Sequence, residues 1–143
     1  MSPRTIQTFE VSLKAFIVRD GKALLVQEAD TGFWELPGGR IDVGEERLAH
    51  DLILAREMRE EIGAGVEISV TDQAVSWVRQ RPTDGMHQFL MVRLCRHVGG
   101  EPVLSDEHAA LKWVGAEDFR DLQFPPLSDY AAGLARLFGL VKP

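Results

Sequence analysis

The alternation of apolar and polar residues near the N-terminus predicts a β-hairpin. Residues 9–18 alternate with a period of two, which is typical of a strand that turns one face toward a core. The other face carries Lys14 and is expected to lie outside the core. Asp20-Gly21 is a strong signal for a tight turn. The residues that follow, 23–28, are predicted to return as the second strand.

A long amphipathic helix is predicted in the middle of the chain. No proline occurs between Pro37 and Pro82, which leaves room for one helix. We expect it to begin near Gly44 or Glu45 and to end before Gly63. Its core-facing side is predicted to consist of Leu48, Leu52, Ala55 and Ile62.

The same patterns predict the remaining elements. They are short strands at 33–36 and 109–114, longer strands at 66–78 and 87–98, a loop at 81–86, a helical segment at 116–122 and a C-terminal amphipathic helix after Pro125-Pro126. Two blocks of strands therefore surround one helix. This order predicts a single domain over residues 1–143, of the α/β (α+β) class with a mixed sheet. The strict alternation of a doubly wound fold is absent.

Composition narrows the classes of function. With 143 residues, 45% hydrophobic and 27% charged, the chain is long enough for one soluble domain with its own core. A net charge of −6 argues against a binder of nucleic acid polymers, which needs a basic face. No apolar run approaches the length of a membrane span and the N-terminus has no apolar signal core, so we expect a cytoplasmic protein without a membrane association.

Three glutamates share one face near the end of the predicted long helix. Glu57, Glu60 and Glu61 lie at helical spacing, where like charges repel by a few tenths of a kcal/mol. A divalent cation bound among them would remove this repulsion, and carboxylate oxygens suit Mg²⁺ or Mn²⁺. A solvated acidic face is the alternative interpretation.

Together with the glycines before them, these glutamates resemble the Nudix box, the signature of hydrolases that act on nucleoside diphosphates linked to another group. The family pattern is a glycine, five residues, a glutamate, seven residues, and then Arg-Glu-apolar-x-Glu-Glu-x-Gly-apolar. Gly39, Glu45 and the run from Arg56 to Ala64 match it, and the run from Trp34 to Gly38 is also typical of the family. The resemblance implies a Nudix-like α/β/α sandwich with a mixed sheet and a catalytic helix.

One part of the box departs from the family pattern. Ten residues separate Glu45 from Arg56, where the family has seven. Either the helix begins about one turn earlier, or the loop before it bulges. The family's first glutamate usually pairs with the arginine of the box, and Leu48 occupies the strict register of that partner. The role of Glu45 as a supporting residue is therefore open.

The resemblance also implies roles for individual residues. The implied metal ligands for Mg²⁺ or Mn²⁺ are Glu57, Glu60, Glu61 and the carbonyl of Gly39. The implied catalytic residues are Glu57, Glu60, Arg56 and Glu107. Two sources of the general base stay open, because it is either a glutamate of the box or a carboxylate from a later loop, where Glu107 is our candidate.

The box defines a reaction class more closely than a substrate. We expect a small nucleotide-type substrate, either a nucleoside triphosphate or a small nucleoside diphosphate derivative. Arg79 and Arg81 are candidates to hold a distal phosphate and Trp34 to stack on a base, although solvated arginines and a core tryptophan are the alternatives. By analogy with the family we expect a homodimer.

Two other functions are compatible with the sequence. One is a Nudix-fold binding or sensor module whose altered box has lost turnover. The other is the isopentenyl-diphosphate isomerase branch of the fold, which uses a cysteine. Cys95, the single cysteine, lies in a predicted strand far from the box and is expected to be buried and inert.

Overall fold

The computed structural model describes residues 3–141 and shows one mixed sheet between two helices. The strands are β1 (Glu10–Arg19), β2 (Lys22–Glu28), β3 (Trp34–Glu35), β4 (Gly38–Arg40), β5 (Glu67–Gln80), β6 (His87–Gly99) and β7 (His108–Val114), and the helices are α1 (His50–Ile62) and α2 (Tyr130–Leu140). The strand order is β3-β2-β1-β6-β5, with β4 paired to β1 and β7 paired to β2. The predicted fold class, an α/β/α sandwich with a mixed sheet, is confirmed.

Strand β1 is the centre of the sheet. It pairs in parallel with β6, antiparallel with β4 along its first half, and with β2 only at the hairpin turn. One of its faces, with Leu13 and Ile17, packs in a cluster with α1, and the other, with Phe16, packs in a cluster with α2. Both faces are therefore covered.

This double covering corrects the prediction for the polar face of β1. Lys14 is only 9% exposed and Ser12 only 5%. They were expected outside because they alternate with apolar residues. However, Phe16 lies on the same face as both, and a central strand between two helices has no solvent side.

Helix α1 begins later than predicted. Its first residue is His50 rather than Gly44 or Glu45, so the extra residues of the box lie in the loop 41–49. The helix ends before Gly63, as predicted, and that glycine has a positive φ of 100°.

The buried side of α1 also differs from the predicted one. The buried residues are Ile53, Leu54, Glu57, Met58 and Ile62. Of the four predicted residues only Ile62 is buried, whereas Leu48 and Leu52 are exposed. The helix is rotated because the row that contains Ile53 and Glu57 faces the sheet.

The other predicted elements correspond to observed ones with small changes in their ends. The predicted helical segment at 116–122 is a single 3₁₀ turn, Phe119–Asp121. Strand β4 was not predicted, since two of its three residues are glycines. Neither helix in the described part of the chain is long and apolar enough to cross a membrane.

Candidate active site

Two consecutive glycines bring strand β4 against helix α1. The backbone N–H of Gly38 donates a hydrogen bond of 2.6 Å to Oε2 of Glu61. A Cβ atom at Gly39 would lie 2.7 Å from both carboxylate oxygens of Glu57. At Gly38, which has a φ of 138°, a Cβ would lie 2.2 Å from the carbonyl oxygen of Leu13. Glycine is therefore required at Gly39 by the close approach to Glu57, and at Gly38 by the close packing against β1.

Burial makes both of these carboxylates costly to ionise. Burial raises the pKa of Glu57, and the guanidinium of Arg56 opposes the shift. Burial likewise raises the pKa of Glu61 to about 7, against the opposing effects of Lys14 and the Gly38 N–H. A cation placed between the strand and the helix would stabilise the charged form of both groups.

Arg56 connects the loop before α1 to the carboxylates on it. Its Nε and Nη2 atoms donate hydrogen bonds of 2.8 and 2.7 Å to the two carboxylate oxygens of Glu45. Nη2 also donates to Glu57 at 3.1 Å, and Nη1 donates to Glu60 at 3.1 Å. The guanidinium therefore holds three carboxylates in a fixed arrangement.

The sequence left open whether Glu45 pairs with Arg56, and the structure shows that it does. The N–H of Asp42 donates to Oε1 of Glu45 at 3.0 Å, and the N–H of Glu45 donates back to the carbonyl of Asp42 at 3.0 Å. These contacts and Arg56 lower the pKa of Glu45. Leu48, in the strict register, is exposed. Of the two alternatives, the loop rather than the helix has taken up the three extra residues.

Glu60 lies apart from the other two glutamates. Its side chain is 60% exposed and accepts hydrogen bonds from Arg56. Within residues 3–141, no group of three histidine, cysteine or acidic side chains is assembled as a metal site. The structure therefore brings two of the predicted ligands to the glycines of β4, Glu57 to Gly39 and Glu61 to Gly38, and leaves the third on the helix surface.

A cavity of about 280 Å³ opens next to Gly39. It is lined by Ser12, Lys14, Glu28, Gly39, Arg40, Arg79, Gln88, Leu90 and Glu107. Two of the residues predicted away from the box, Arg79 and Glu107, are thus brought to the same place as the box glycine. Arg79 is bound to the buried carboxylate of Glu35.

The other two predicted substrate contacts do not line this cavity. Arg81 is bound to Asp84 at 2.7 Å and to Glu10 at 3.2 Å. Trp34 packs at the border of the hydrophobic cluster under α2. Neither residue is therefore placed at this cavity, where a substrate contact was predicted.

Sequence reasoning missed two charged residues that line the cavity, Lys14 and Glu28, and the histidine that contacts Glu28, His108. His108 is buried, its Nδ1 lies 3.0 Å from Oγ of Ser105, and its Nε2 lies 3.5 Å from Oε1 of Glu28. The hydrogen bond with Glu28 raises the pKa of His108, and His108 in turn lowers the pKa of Glu28. A signal for Lys14 was present, since Phe16 and Val18 follow it on its own face of β1.

The residues that resemble the Nudix box lie on β4, in the loop 41–49 and on α1. Comparison with known proteins supports the resemblance. Residues 9–137 match the family model described as the NUDIX domain. The chain belongs to the Nudix family. The match extends from β1 into α2, so it includes all seven strands of the described sheet and α1.

Individual relatives cover most of the chain. A Mycobacterium tuberculosis protein (strain CDC 1551 / Oshkosh), provisionally named 8-oxo-dGTP diphosphatase 2, is 34% identical over 134 residues, which is 89% of each protein. A MutT-like protein from Streptomyces ambofaciens is 33% identical over 109 residues, 76% of this chain and 65% of its own length. The Nudix chain thus spans about two thirds of the latter relative.

Solved structures resemble this Nudix domain over nearly its full length. An ADP-ribose pyrophosphatase from Streptococcus suis superposes with a TM-score of 0.68 at 26% identity, covering 92% of this chain and 91% of the other. The family and these relatives make the chain a Nudix-type hydrolase. Cys95 is fully buried, burial raises its pKa to about 12, and it does not line the cavity at Gly39.

Proposed function

We propose that this Nudix hydrolase cleaves a phosphoanhydride bond of a nucleoside triphosphate or of a small nucleoside diphosphate derivative, with Mg²⁺ or Mn²⁺ bound at α1. The observation that carries the proposal is the pair of carboxylates, the buried Glu57 and the partly buried Glu61, in contact with the two glycines of β4. A phosphoanhydride needs little covalent chemistry from the protein, and positioning with charge stabilisation supplies most of the rate.

The residues present fit a hard divalent cation. Glu57 and Glu61 offer oxygen ligands whose burial raises their pKa values, so a cation would relieve an existing cost. Glu60 directly precedes Glu61 on α1 and accepts hydrogen bonds from Arg56, and the Gly39 carbonyl completes the proposed ligand set. The ion would neutralise the pyrophosphate and polarise the phosphoryl group.

Other side chains of the site would position the substrate. Arg56 orients Glu57 through a hydrogen bond of 3.1 Å. Arg79, held by Glu35, presents its guanidinium at the cavity that also contains Glu107. Glu107 is exposed and lines the cavity, so we propose it, or Glu57, as the general base.

The names of the relatives support this substrate range. One is named for an oxidised deoxynucleoside triphosphate and another for ADP-ribose. These compounds share a pyrophosphate attached to a nucleoside. The alternative, a binding module without turnover, depended on a disrupted box, and the intact Glu45–Arg56 pair removes that support.

A substrate panel tests the proposal. Nucleoside triphosphates, 8-oxo-dGTP and ADP-ribose are incubated with the protein in Mg²⁺ and, separately, in Mn²⁺, and the release of phosphate, pyrophosphate and nucleoside monophosphate is measured. We expect metal-dependent turnover of at least one compound, abolished by EDTA. Measurable binding without turnover of any compound would instead support the binding module. A homodimer and a cytoplasmic location stay predictions.

A further inference from the structure

Lys14 is a buried cation at the active-site cavity. Its side chain comes from the centre of β1, is 9% exposed, and lines the cavity together with Gly39 and Glu107. Its Nζ atom donates a hydrogen bond of 3.3 Å to the carbonyl oxygen of Gly38. The ammonium group therefore contacts Gly38, one of the two glycines that also contact the carboxylates of α1.

The other cations of the cavity already have carboxylate partners. Arg79 is bound to Glu35, and Nη1 of Arg40 lies 3.5 Å from Oε1 of Glu10. Within residues 3–141, Lys14 makes no ion pair at 4.0 Å or less. A buried ammonium without a partner is costly, so a ligand anion in the cavity would stabilise it.

The charge of Lys14 nevertheless acts on the metal side of the site. Gly38, whose carbonyl accepts from Lys14, donates its own N–H to Glu61 at 2.6 Å, and the next residue, Gly39, lies against the carboxylate of Glu57. Lys14 therefore lies close enough to interact with the same carboxylates that a divalent cation would use. Two cations that share carboxylates repel each other, and the repulsion is strong in a site of low dielectric constant.

We propose that Lys14 is a substrate-contact residue that binds the pyrophosphate of the substrate, and that its resident positive charge weakens metal binding until the substrate is present. This inference rests on the proposed function. It predicts two opposite effects of one charge. Removal of the ammonium strengthens the binding of the metal alone and weakens the binding of a diphosphate.

The test uses Lys14→Met, which keeps the length of the side chain and removes its charge. Mn²⁺ alone is titrated by electron paramagnetic resonance, and methylenediphosphonate, which cannot be hydrolysed, is then titrated calorimetrically in saturating Mn²⁺. We expect Mn²⁺ to bind about tenfold more tightly and the diphosphonate to bind about tenfold more weakly than in the parent protein, each equivalent to about 1.4 kcal/mol.

Two further variants serve as controls. Lys112→Met makes the same charge change at an exposed position of β7 and should alter neither affinity. Lys14→Arg keeps the charge and should bind Mn²⁺ alone with the affinity of the parent protein. If Lys14→Met does not fold, Lys14→Gln replaces it, because an amide can still donate to the carbonyl of Gly38.

The outcomes separate this inference from its alternatives. Equal affinities in Lys14→Met and Lys112→Met would overturn it. If Lys14→Met bound both Mn²⁺ and the diphosphonate more weakly, the role of Lys14 would be structural and the inference would also be overturned. Neither titration involves turnover. If the opposite shifts occur while the substrate panel shows no hydrolysis, the inference stands and the proposed function fails.

Discussion

Glu45 and Arg56 are joined by two hydrogen bonds, of 2.7 and 2.8 Å, although they are 11 residues apart in the chain. The box pattern of the family places these residues three positions closer together. The loop 41–49 absorbs the difference, and Glu45 turns back through its contacts with Asp42. Because Arg56 also donates to Glu57, its hydrogen bonds connect the loop 41–49 to the buried carboxylate of Glu57.

From this link we expect Glu45 to act as a positioning residue. Glu45→Gln removes the carboxylate charge that pairs with Arg56, so Arg56 is held less firmly and Glu57 loses part of its orientation. We expect kcat to fall about 10- to 100-fold with a smaller change in KM. Steady-state kinetics on a substrate from the panel measures this split. Glu46→Gln, at the exposed neighbouring position, is the control, and equal kcat values for the two variants would contradict the prediction.

Gly39 controls the distance between β4 and Glu57. In Gly39→Ala the added methyl group would lie 2.7 Å from both carboxylate oxygens, so the side chain of Glu57 must move. A displacement of about 1 Å in a catalytic site costs on the order of 100-fold in rate. We expect a loss of this size in kcat/KM with an unchanged circular dichroism spectrum.

A second glycine provides the matched control for this substitution. At Gly65 an added Cβ would meet no atom within 4 Å. Gly65→Ala should therefore keep the activity of the parent protein. If Gly39→Ala also kept it, the close contact with Glu57 would have no functional importance.

Local patterns predicted those parts of the fold that depend on neighbouring residues. Period-two alternation located the strands, and Gly63 located the end of α1, because a glycine with positive φ commonly ends a helix. The predicted start of α1 was wrong, and the reason is also local. Leu48 continues the apolar pattern into the loop, and Ala49, the residue before the helix, has no polar side chain to mark a boundary.

The site was predictable only where it lies within the box. Glu57, Glu61 and Gly39 follow from the motif, whereas Lys14 and Glu28 reach the site through strand pairing. Alternation shows that a strand has two faces, but it does not show that helices cover both. The partner of Glu45 likewise required the path of the loop, which composition does not define.

Glu60 provides a test of the proposed ligand set that leaves the fold intact. Its side chain is 60% exposed, so Glu60→Gln should change the free energy of unfolding by no more than about 0.5 kcal/mol. As a metal ligand its loss should lower activity about 100-fold or more and weaken Mn²⁺ binding. Activity and Mn²⁺ titration are measured against Glu67→Gln, an exposed glutamate on β5. Near-full activity at saturating Mg²⁺ would remove Glu60 from the ligand set.

The raised pKa of Glu61 predicts a pH dependence of stability without metal. Burial raises this pKa from 4.5 in the unfolded chain to about 7 in the folded protein. The folded state therefore binds the proton more tightly, and stability is lost as the pH rises from 4.5 through about 7. Glu61→Gln has no such loss and can still accept from the Gly38 N–H.

The comparison is made by denaturant unfolding in EDTA across this pH range. We expect the variant to become more stable than the parent protein as the pH rises, by up to about 3 kcal/mol, and the gap to close at low pH. Addition of Mg²⁺ should narrow the gap at high pH, because the ion stabilises the ionised carboxylate. A gap independent of pH would contradict the raised pKa.

The start of α1 offers a way to stabilise the protein. Ala49 is the residue before the helix and has φ of −61° and ψ of 142°, the extended geometry in which a serine side chain accepts a hydrogen bond from the second or third helical N–H. Those N–H groups belong to Asp51 and Leu52. Ala49→Ser should add about 1 kcal/mol to the free energy of unfolding and raise Tm by roughly 3 °C. Differential scanning calorimetry measures both, with Ala49→Val as the control because valine cannot accept a hydrogen bond. An equal Tm for the serine and valine variants would show that this helix start gains nothing from a cap.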